Sequence, residues 1–420
     1  RKYKAAADAL DGAIDAYGGT AQLHMRLGEM RLLAGDAEGA LEAAEAGLSV
    51  ATSPLHKLAL LRVQSRAQLV RGAFDAAAVS FGRMQELTKG RVATKDLIPY
   101  AQALYATGRD GAARSLLETA LNLEPPPIDG VVLFARREGA KDAERAEKLV
   151  AAALERSPRN PTLLEEAARF DLAAGRAERA VQRLEAALES SPTHAPLHVT
   201  LARVRFQTGD AEGAIASAEE ALRLDPSSPN SIAARVLVAA YSQVGRLEEA
   251  VAQLQTAHQS GKLGLGSKVL LARLLAGQGK QKEAIDLLED VAKEAPNLAG
   301  PKNDLAYLLI ASGRDLDRAL SMAQEARAAL PNLGPVADTL GFAYLAKRLP
   351  DAALPQFEEA VNLAEHGSPE WGIAQLHRAQ ALVQLERVED ARAAAEAALT
   401  AAKFPEQQDA RKLLDTLKAG

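Results

Sequence analysis

The chain has 420 residues, 48% hydrophobic but only 4% aromatic, and a net charge of −5 from 50 basic and 55 acidic side chains. So little aromatic area beside so much alanine excludes an ordinary β-sandwich or barrel and favours closely packed helices, alanine being the best helix former and the smallest spacer that carries a Cβ. With no cysteine there is no disulfide, thiolate metal site or cysteine nucleophile. No apolar run reaches the length of a membrane span, and the mild acidity argues against general nucleic-acid binding, which needs a basic face.

The chain opens Arg1-Lys2-Tyr3-Lys4, with neither an initiating methionine nor a signal-peptide pattern. It reads as a piece trimmed from a longer protein that has lost any targeting segment. Residues 1–20 are predicted to be the second helix of a preceding helix pair whose first helix lies upstream.

From there one phrase recurs: a turn glycine, an alanine five residues on, an apolar residue, Ala-Leu, then proline. Gly108…Ala113…Leu117…Ala120-Leu121…Pro125 and Gly175…Ala180…Leu184…Ala187-Leu188…Pro192 are examples. The key alanine falls at Ala6, Ala40, Ala77, Ala113, Ala146, Ala180, Ala214, Ala250, Ala284, Ala319, Ala353 and Ala391, at intervals of 33 to 38 residues. A fixed period of this size marks a stacked repeat architecture. Each unit predicts an amphipathic helix, a turn at Gly35, Gly72, Gly108, Gly175, Gly209, Gly245, Gly279 or Gly313, and a second helix with small residues facing the first. Glycine suits the left-handed backbone that ends many helices, and proline stops the second helix. Eleven pairs are predicted, starting near 21, 58, 94, 127, 161, 195, 231, 265, 299, 334 and 372, with 405–420 as a capping helix. Two glycine-bearing linkers, His258–Gly266 and Ala364–Glu370, read as flexures in one continuous stack.

The units resemble the tetratricopeptide repeat family over nearly the whole chain. Leu340-Gly341…Tyr344…Ala353…Phe357…Ala360 and Leu27-Gly28…Gly35…Ala40 reproduce its pattern of small and large positions. The family's early tryptophan is missing from the units, Arg348 and Glu386 replace the turn glycine, and the unit around Gly139 has a shifted turn. The resemblance implies an all-α fold: a right-handed α-solenoid of about eleven such pairs plus a C-terminal capping helix.

Catalytic, cofactor and metal sites are not expected. Gly261-Lys-Leu-Gly-Leu-Gly266-Ser-Lys268 superficially suggests a phosphate loop, but it lacks the Gly-Lys-Ser/Thr order and its flanks read as helix. His194 and His198 stand four apart, with Pro196 between them and no third ligand nearby. Glutamate pairs such as Glu165-Glu166 and Glu358-Glu359 recur at exposed helix positions and read as solvated charge. Trp371 is expected to pack in a widened turn.

The resemblance also implies an inner groove lined by set positions of each first helix. Those positions collect Arg62, Arg66, Arg169, Arg203, Arg235 and Arg273, with Arg136 and Arg137 near equivalent places. In the last units they give Asn303, Tyr307, Asp338, Phe342, Leu376 and Gln380 instead. A groove rich in arginine would then pass into one that is aromatic and neutral. Arginine's planar fork matches carboxylates, so an acidic protein segment, a free C-terminus or an anionic polysaccharide would suit it, unless the arginines pair with neighbouring acids such as Glu165. The Lys and Asn of the family's chaperone-type carboxylate clamp are not in place.

The expected function is a non-catalytic scaffold that binds partner proteins in its concave groove, without nucleic acid. The run from Asn303 to Tyr344 resembles bacterial envelope repeat proteins, including lipoproteins of exosortase and exopolysaccharide systems. That points to the periplasm, free or anchored through an upstream segment, with the cytoplasm as the alternative. A second reading is a regulatory or substrate-docking arm of a larger enzyme such as a glycosyltransferase.

Overall fold

The computed structural model describes residues 2–228 and 232–419. Among these the regular structure is helical throughout, with no strand. The chain divides into two compact units, Arg1–Pro192 and Thr193–Gly420, a division that falls at neither of the two linkers singled out above.

The N-terminal unit opens with α1 (Lys2–Tyr17). Five pairs follow: α2 (Ala21–Leu33) with α3 (Ala37–Val50), α4 (Pro54–Val70) with α5 (Phe74–Leu87), α6 (Thr94–Ala106) with α7 (Asp110–Leu121), α8 (Ile128–Arg137) with α9 (Ala143–Arg156), and α10 (Pro161–Ala173) with α11 (Ala177–Ser190). The C-terminal unit begins with three pairs: α12 (Ala195–Gln207) with α13 (Ala211–Leu224), α14 (Ile232–Gln243) with α15 (Leu247–Gln259), and α16 (Leu265–Gly277) with α17 (Gln281–Glu294). It continues with α18 (Ala299–Ala311) and α19 (Leu316–Ala329), α20 (Gly334–Ala346) and α21 (Pro350–Leu363), and α22 (Pro369–Gln384) and α23 (Val388–Thr400), and ends in α24 (Gln407–Ala419). Two pairs start a few residues earlier than the period suggests, because Ser53-Pro54 and Ser368-Pro369 start the helix there. Proline at the first helical position loses no hydrogen bond, and the Ser368 hydroxyl accepts from the Trp371 amide at 3.2 Å.

Inside each unit a helix packs on the next one along the chain. First helices also touch the first helix of the following pair, α2 on α4 through α8 on α10, and α12 on α14 through α20 on α22. Each unit is thus an α-solenoid whose even-numbered helices form one continuous row, the surface on which a stacked-repeat protein presents its binding side chains.

The repeated alanines are the points of closest approach. Ala40, Ala77, Ala113, Ala146, Ala180, Ala214, Ala250, Ala284, Ala319, Ala353 and Ala391 are all wholly buried. The first of the series departs from this. Ala6 is only half-buried, and Ala7 instead meets Leu27 and Ala43, because α1 is turned by one residue on its neighbour α2.

The turns show why glycine recurs. At Gly35 the backbone swings to φ 85°, and the Gly35 and Asp36 amides donate back to the Leu32 and Arg31 carbonyls at 3.1 and 2.8 Å. The Asp36 carboxylate then caps α3 through the Gly39 amide at 2.8 Å. Arg348 and Glu386 take the same left-handed conformation, both at φ 59°. Gly139 serves space instead, since a Cβ there would stand 2.3 Å from the Ala135 carbonyl oxygen.

The glycine-rich run at 258–266 is a packed turn. Leu263 is buried, and the Gly264 amide donates to the Pro226 carbonyl at 3.0 Å. Trp371 lies buried against His366, Ala398, Ala401 and Phe404.

Candidate functional site

In the N-terminal unit three of the inner-row arginines, Arg62, Arg136 and Arg169, meet carboxylates. Arg62 on α4 forks onto the buried Asp96 of α6, with Nε and Nη2 donating at 2.9 and 2.7 Å. Glu166 on α10 is buried between Arg136, which it contacts closely, and Arg169, whose Nη2 lies 2.8 Å from Oε2. Arg169 also donates to the Ala135 carbonyl at 3.1 Å. Arg137 lies over the Tyr105 ring, 5.7 Å from its centre. These guanidiniums hold helices together, which is the pairing that competes with ligand binding at a groove arginine. Arg66 is exposed and has no ion pair among the described residues.

The C-terminal unit begins in the same way and then changes. Arg203 and Arg235, on α12 and α14, are exposed, while Arg273 on α16 reaches Asp304 on α18 at 2.7 Å. Arg235 and Arg273 border a shallow groove of about 360 Å³ with Leu265, Leu270, Leu298 and Pro301. Arg273 also borders a larger cleft of about 920 Å³, lined along α18, α20 and α22 and closed by the segment before α24.

Asn303, Tyr307, Asp338 and Phe342 all line this larger cleft, as the repeat positions imply. Leu376 is buried in the cluster around Trp371 and Phe404 and does not line the cleft, and Gln380 is half-buried. The cleft is not neutral, however. Asp304, Asp338, Glu370 and Glu406 also line it. Spacing along the inner positions does not reveal this concentration, because the acids come from three helices and from a segment outside the repeat.

Glu406 crosses ninety-nine residues of sequence to accept a hydrogen bond from the Tyr307 hydroxyl at 3.2 Å. Burial raises the pKa of that phenol, and the Glu406 charge and hydrogen bond raise it further. Asp338 is 7% exposed and holds His377 Nδ1 with both oxygens, at 2.9 and 3.0 Å. Burial pulls the imidazole pKa down. The Asp338 charge and hydrogen bond, with the Glu406 charge, outweigh that, so the net shift is upward. Phe342 stacks on the His377 ring at 4.9 Å and 4°, and Tyr307 tilts against Phe342 at 5.7 Å. His377 continues the α18–α20–α22 row at Phe342's spacing from Tyr307, which is the signal that could have found it.

Among the described residues no three histidine or acidic side chains are grouped to hold a metal, and no helix is long and apolar enough to cross a membrane.

Models of the tetratricopeptide repeat family match residues 171–230, and residues 1–56 and 339–407. A comparison with curated proteins gave no match. Similar solved structures include the APC/C hetero-tetramer Cut9-Hcn1, at 13% identity and TM-score 0.45 over 99% of this chain and 93% of that one. Yeast Tom70 aligns at 16% identity and TM-score 0.38 over 97% and 96%. A repeat protein from Parabacteroides merdae aligns at 14% and 0.43, over 62% of this chain and 99% of its own.

Proposed function

The chain is a tetratricopeptide-repeat protein, and we propose that it is an interaction scaffold whose C-terminal unit receives a segment of a partner protein in the cleft along α18, α20 and α22. One observation carries this reading: the cleft combines room for a peptide with an aromatic wall and a buried acceptor, Asn303 Oδ1, that has no hydrogen-bond partner. Native interiors rarely leave such atoms unsatisfied, and each one calls for an explanation. Interfaces concentrate their binding energy on a few well-packed aromatic anchors, and Tyr307 and Phe342 supply those here.

The shallower groove beside Arg235 extends the same surface, so the segment would run from a basic stretch into an acidic one. The acidic-partner reading of the groove arginines narrows accordingly to Arg203 and Arg235 in the C-terminal unit and to Arg66 in the N-terminal one. Arg62, Arg169 and Arg273 are engaged by Asp96, Glu166 and Asp304.

The resemblance of Asn303–Tyr344 to envelope repeat proteins supports placing this scaffold in assembly of a bacterial envelope, secretion or exopolysaccharide system, in the periplasm. Fractionating cells that express the native gene tests the compartment, and recovery of the protein in the cytosol alone would refute it.

The binding reading is tested with a twelve-residue peptide selected from a random library against the whole chain. Hydrogen exchange should show protection in α18, α20 and α22, and Phe342→Ala should weaken binding about tenfold or more. Protection confined to the N-terminal unit would sink it.

A further inference from the structure

The larger cleft carries a charge opposite to that of the groove arginines. Asp304, Asp338, Glu370 and Glu406 face it, against one guanidinium, Arg273, which already pairs with Asp304. His377 balances Asp338 from behind. Acids on a helix surface are ordinarily solvated and ask for nothing, so the carboxylates by themselves identify no ligand.

Two buried atoms do. Asn303 is 8% exposed and lines the cleft, and its Oδ1 accepts no hydrogen bond. Glu406 Oε1 accepts from Tyr307, while Oε2, shielded from solvent, accepts from nothing. Asn303 and Tyr307 are one turn apart on α18, which puts them on one face of that helix, and the Glu406 carboxylate held by Tyr307 lines the same cleft as Asn303. An acceptor left unmade in the interior is costly, most of all a charged one. Both orphans are acceptors, and a ligand that satisfies them must bring donors. The surplus of carboxylates adds that the donor should be positive. The adjoining Tyr307 and Phe342 rings offer faces on which a guanidinium or an alkyl stem rests favourably.

We propose that the cleft takes a lysine or arginine side chain of the partner segment, its cationic head donating to Asn303 Oδ1 and Glu406 Oε2 and its stem lying on Tyr307 and Phe342. Arginine is the better fit, since its planar fork serves two acceptors at once and stacks on aromatic rings. This assignment rests on the scaffold reading above and adds to it the charge of the residue recognised.

The experiment uses three pools of acetylated, amidated nonapeptides, random except for a fixed central arginine, glutamine or glutamate. Each is passed over the immobilised full chain and the retained peptide is quantified. The arginine pool should be retained about tenfold over the glutamine pool, as expected for a charge-assisted hydrogen bond, and the glutamate pool least. Glu406→Gln and Asn303→Leu should each bring arginine and glutamine close to parity while far-UV circular dichroism stays native. If Asn303→Leu does not fold, the nearly isosteric Glu406→Gln decides alone. Equal retention of all three pools would overturn the charge assignment and leave the scaffold reading intact. So would a preference for glutamate, which would return attention to Arg203 and Arg235. An arginine preference that survives Glu406→Gln would put the cation elsewhere and overturn it too. Retention of no pool would overturn both readings.

Discussion

Asp96, Glu138, Glu166 and Asp171 lie buried in the N-terminal unit, and each meets at least one arginine. Arg62 serves Asp96, Arg114 serves Glu138, Arg136 and Arg169 serve Glu166, and Arg176 and Arg183 serve Asp171. In the C-terminal unit the buried Asp338 is answered by a histidine, and Asn303 Oδ1 and Glu406 Oε2 by nothing. The same repeat has therefore been used in two ways. Inner-row carboxylates that meet arginines join neighbouring helices, even where one oxygen, Glu166 Oε2, has an ion pair and no aligned hydrogen bond. Around the cleft Asn303 Oδ1 and Glu406 Oε2 have neither, and under the proposal above a partner's cation supplies the missing donor. A basic side chain on a repeat's inner row is no sign of a ligand site until its carboxylate has been looked for one repeat away.

The contrast is broken most severely by deleting one partner of a buried pair. Arg62→Met leaves Asp96 charged and enclosed, and stability of the N-terminal unit should fall by about 3–5 kcal/mol. Arg273→Met removes the corresponding pair from the C-terminal unit, where the Arg273 side chain is 61% exposed, and should cost only about 0–1 kcal/mol. Adding Asp96→Leu to Arg62→Met should restore most of the loss, since an apolar pair of similar volume replaces a buried ion pair at little cost. Urea unfolding of the four proteins gives the comparison. Equal losses for Arg62→Met and Arg273→Met would show that burial does not separate the two units.

The repeat itself was legible in the sequence because close helix packing admits only alanine at fixed places, and Ala40 through Ala391 stand there wholly buried. The inner-row members of the cleft were legible for the same reason, since period alone brings Asn303, Tyr307, Asp338 and Phe342 to one face. Glu406 was not. It lies in the segment between α23 and α24, and only the fold carries it back to Tyr307. The arginines misled because position on a helix face reports direction and leaves the partner open. Arg62 points where the repeat implies, but Asp96 stands in front of it.

The next contrast lies in pH. Burial works to raise the pKa of the Glu138 carboxyl, but hydrogen bonds from Tyr105 and Arg114 and the charges of Arg114 and Lys141 bring it below the ordinary glutamate range. Its contribution is present above the ordinary value and lost as pH falls through the lowered one. His377 has a net upward shift, so its contribution is full below about 6.5, the ordinary imidazole value, and lost as pH rises through the raised one. The N-terminal unit should therefore weaken in acid and the C-terminal unit on the alkaline side. Trp371, the chain's single tryptophan, lies in the latter. Its fluorescence should give a lower urea midpoint at pH 9 than at pH 6, and His377→Gln should flatten that difference. Glu138→Gln should flatten the acid loss of helical signal. A midpoint that rises from pH 6 to pH 9 would contradict the upward shift at His377.

The smallest effect concerns the turns inside the pairs. Both units place glycine at these left-handed turns, Gly35, Gly72, Gly108 and Gly175 in the N-terminal unit and Gly209, Gly245, Gly279 and Gly313 in the C-terminal one, at φ between 65° and 85°. The last two pairs of the C-terminal unit place Arg348 and Glu386 there instead, at φ 59°. A side chain in that conformation costs about 1–2 kcal/mol. Glycine avoids the clash but gives back about 0.5–1 kcal/mol through the freedom it has when unfolded. Arg348→Gly and Glu386→Gly should therefore each stabilise the C-terminal unit by roughly 0.5–1 kcal/mol, the difference of those two terms. Gly108→Arg should weaken the N-terminal unit by a similar amount, for no heavy atom stands within 4 Å of the Cβ position and backbone conformation is the term that remains. Two stabilising changes and one destabilising change of matched size, read from urea midpoints, would show that the turn geometry is held by the helices on either side. If Arg348→Gly lowers the midpoint, the Arg348 side chain makes a contact worth more than its backbone strain, and the turn of α20 into α21 is kept for that contact.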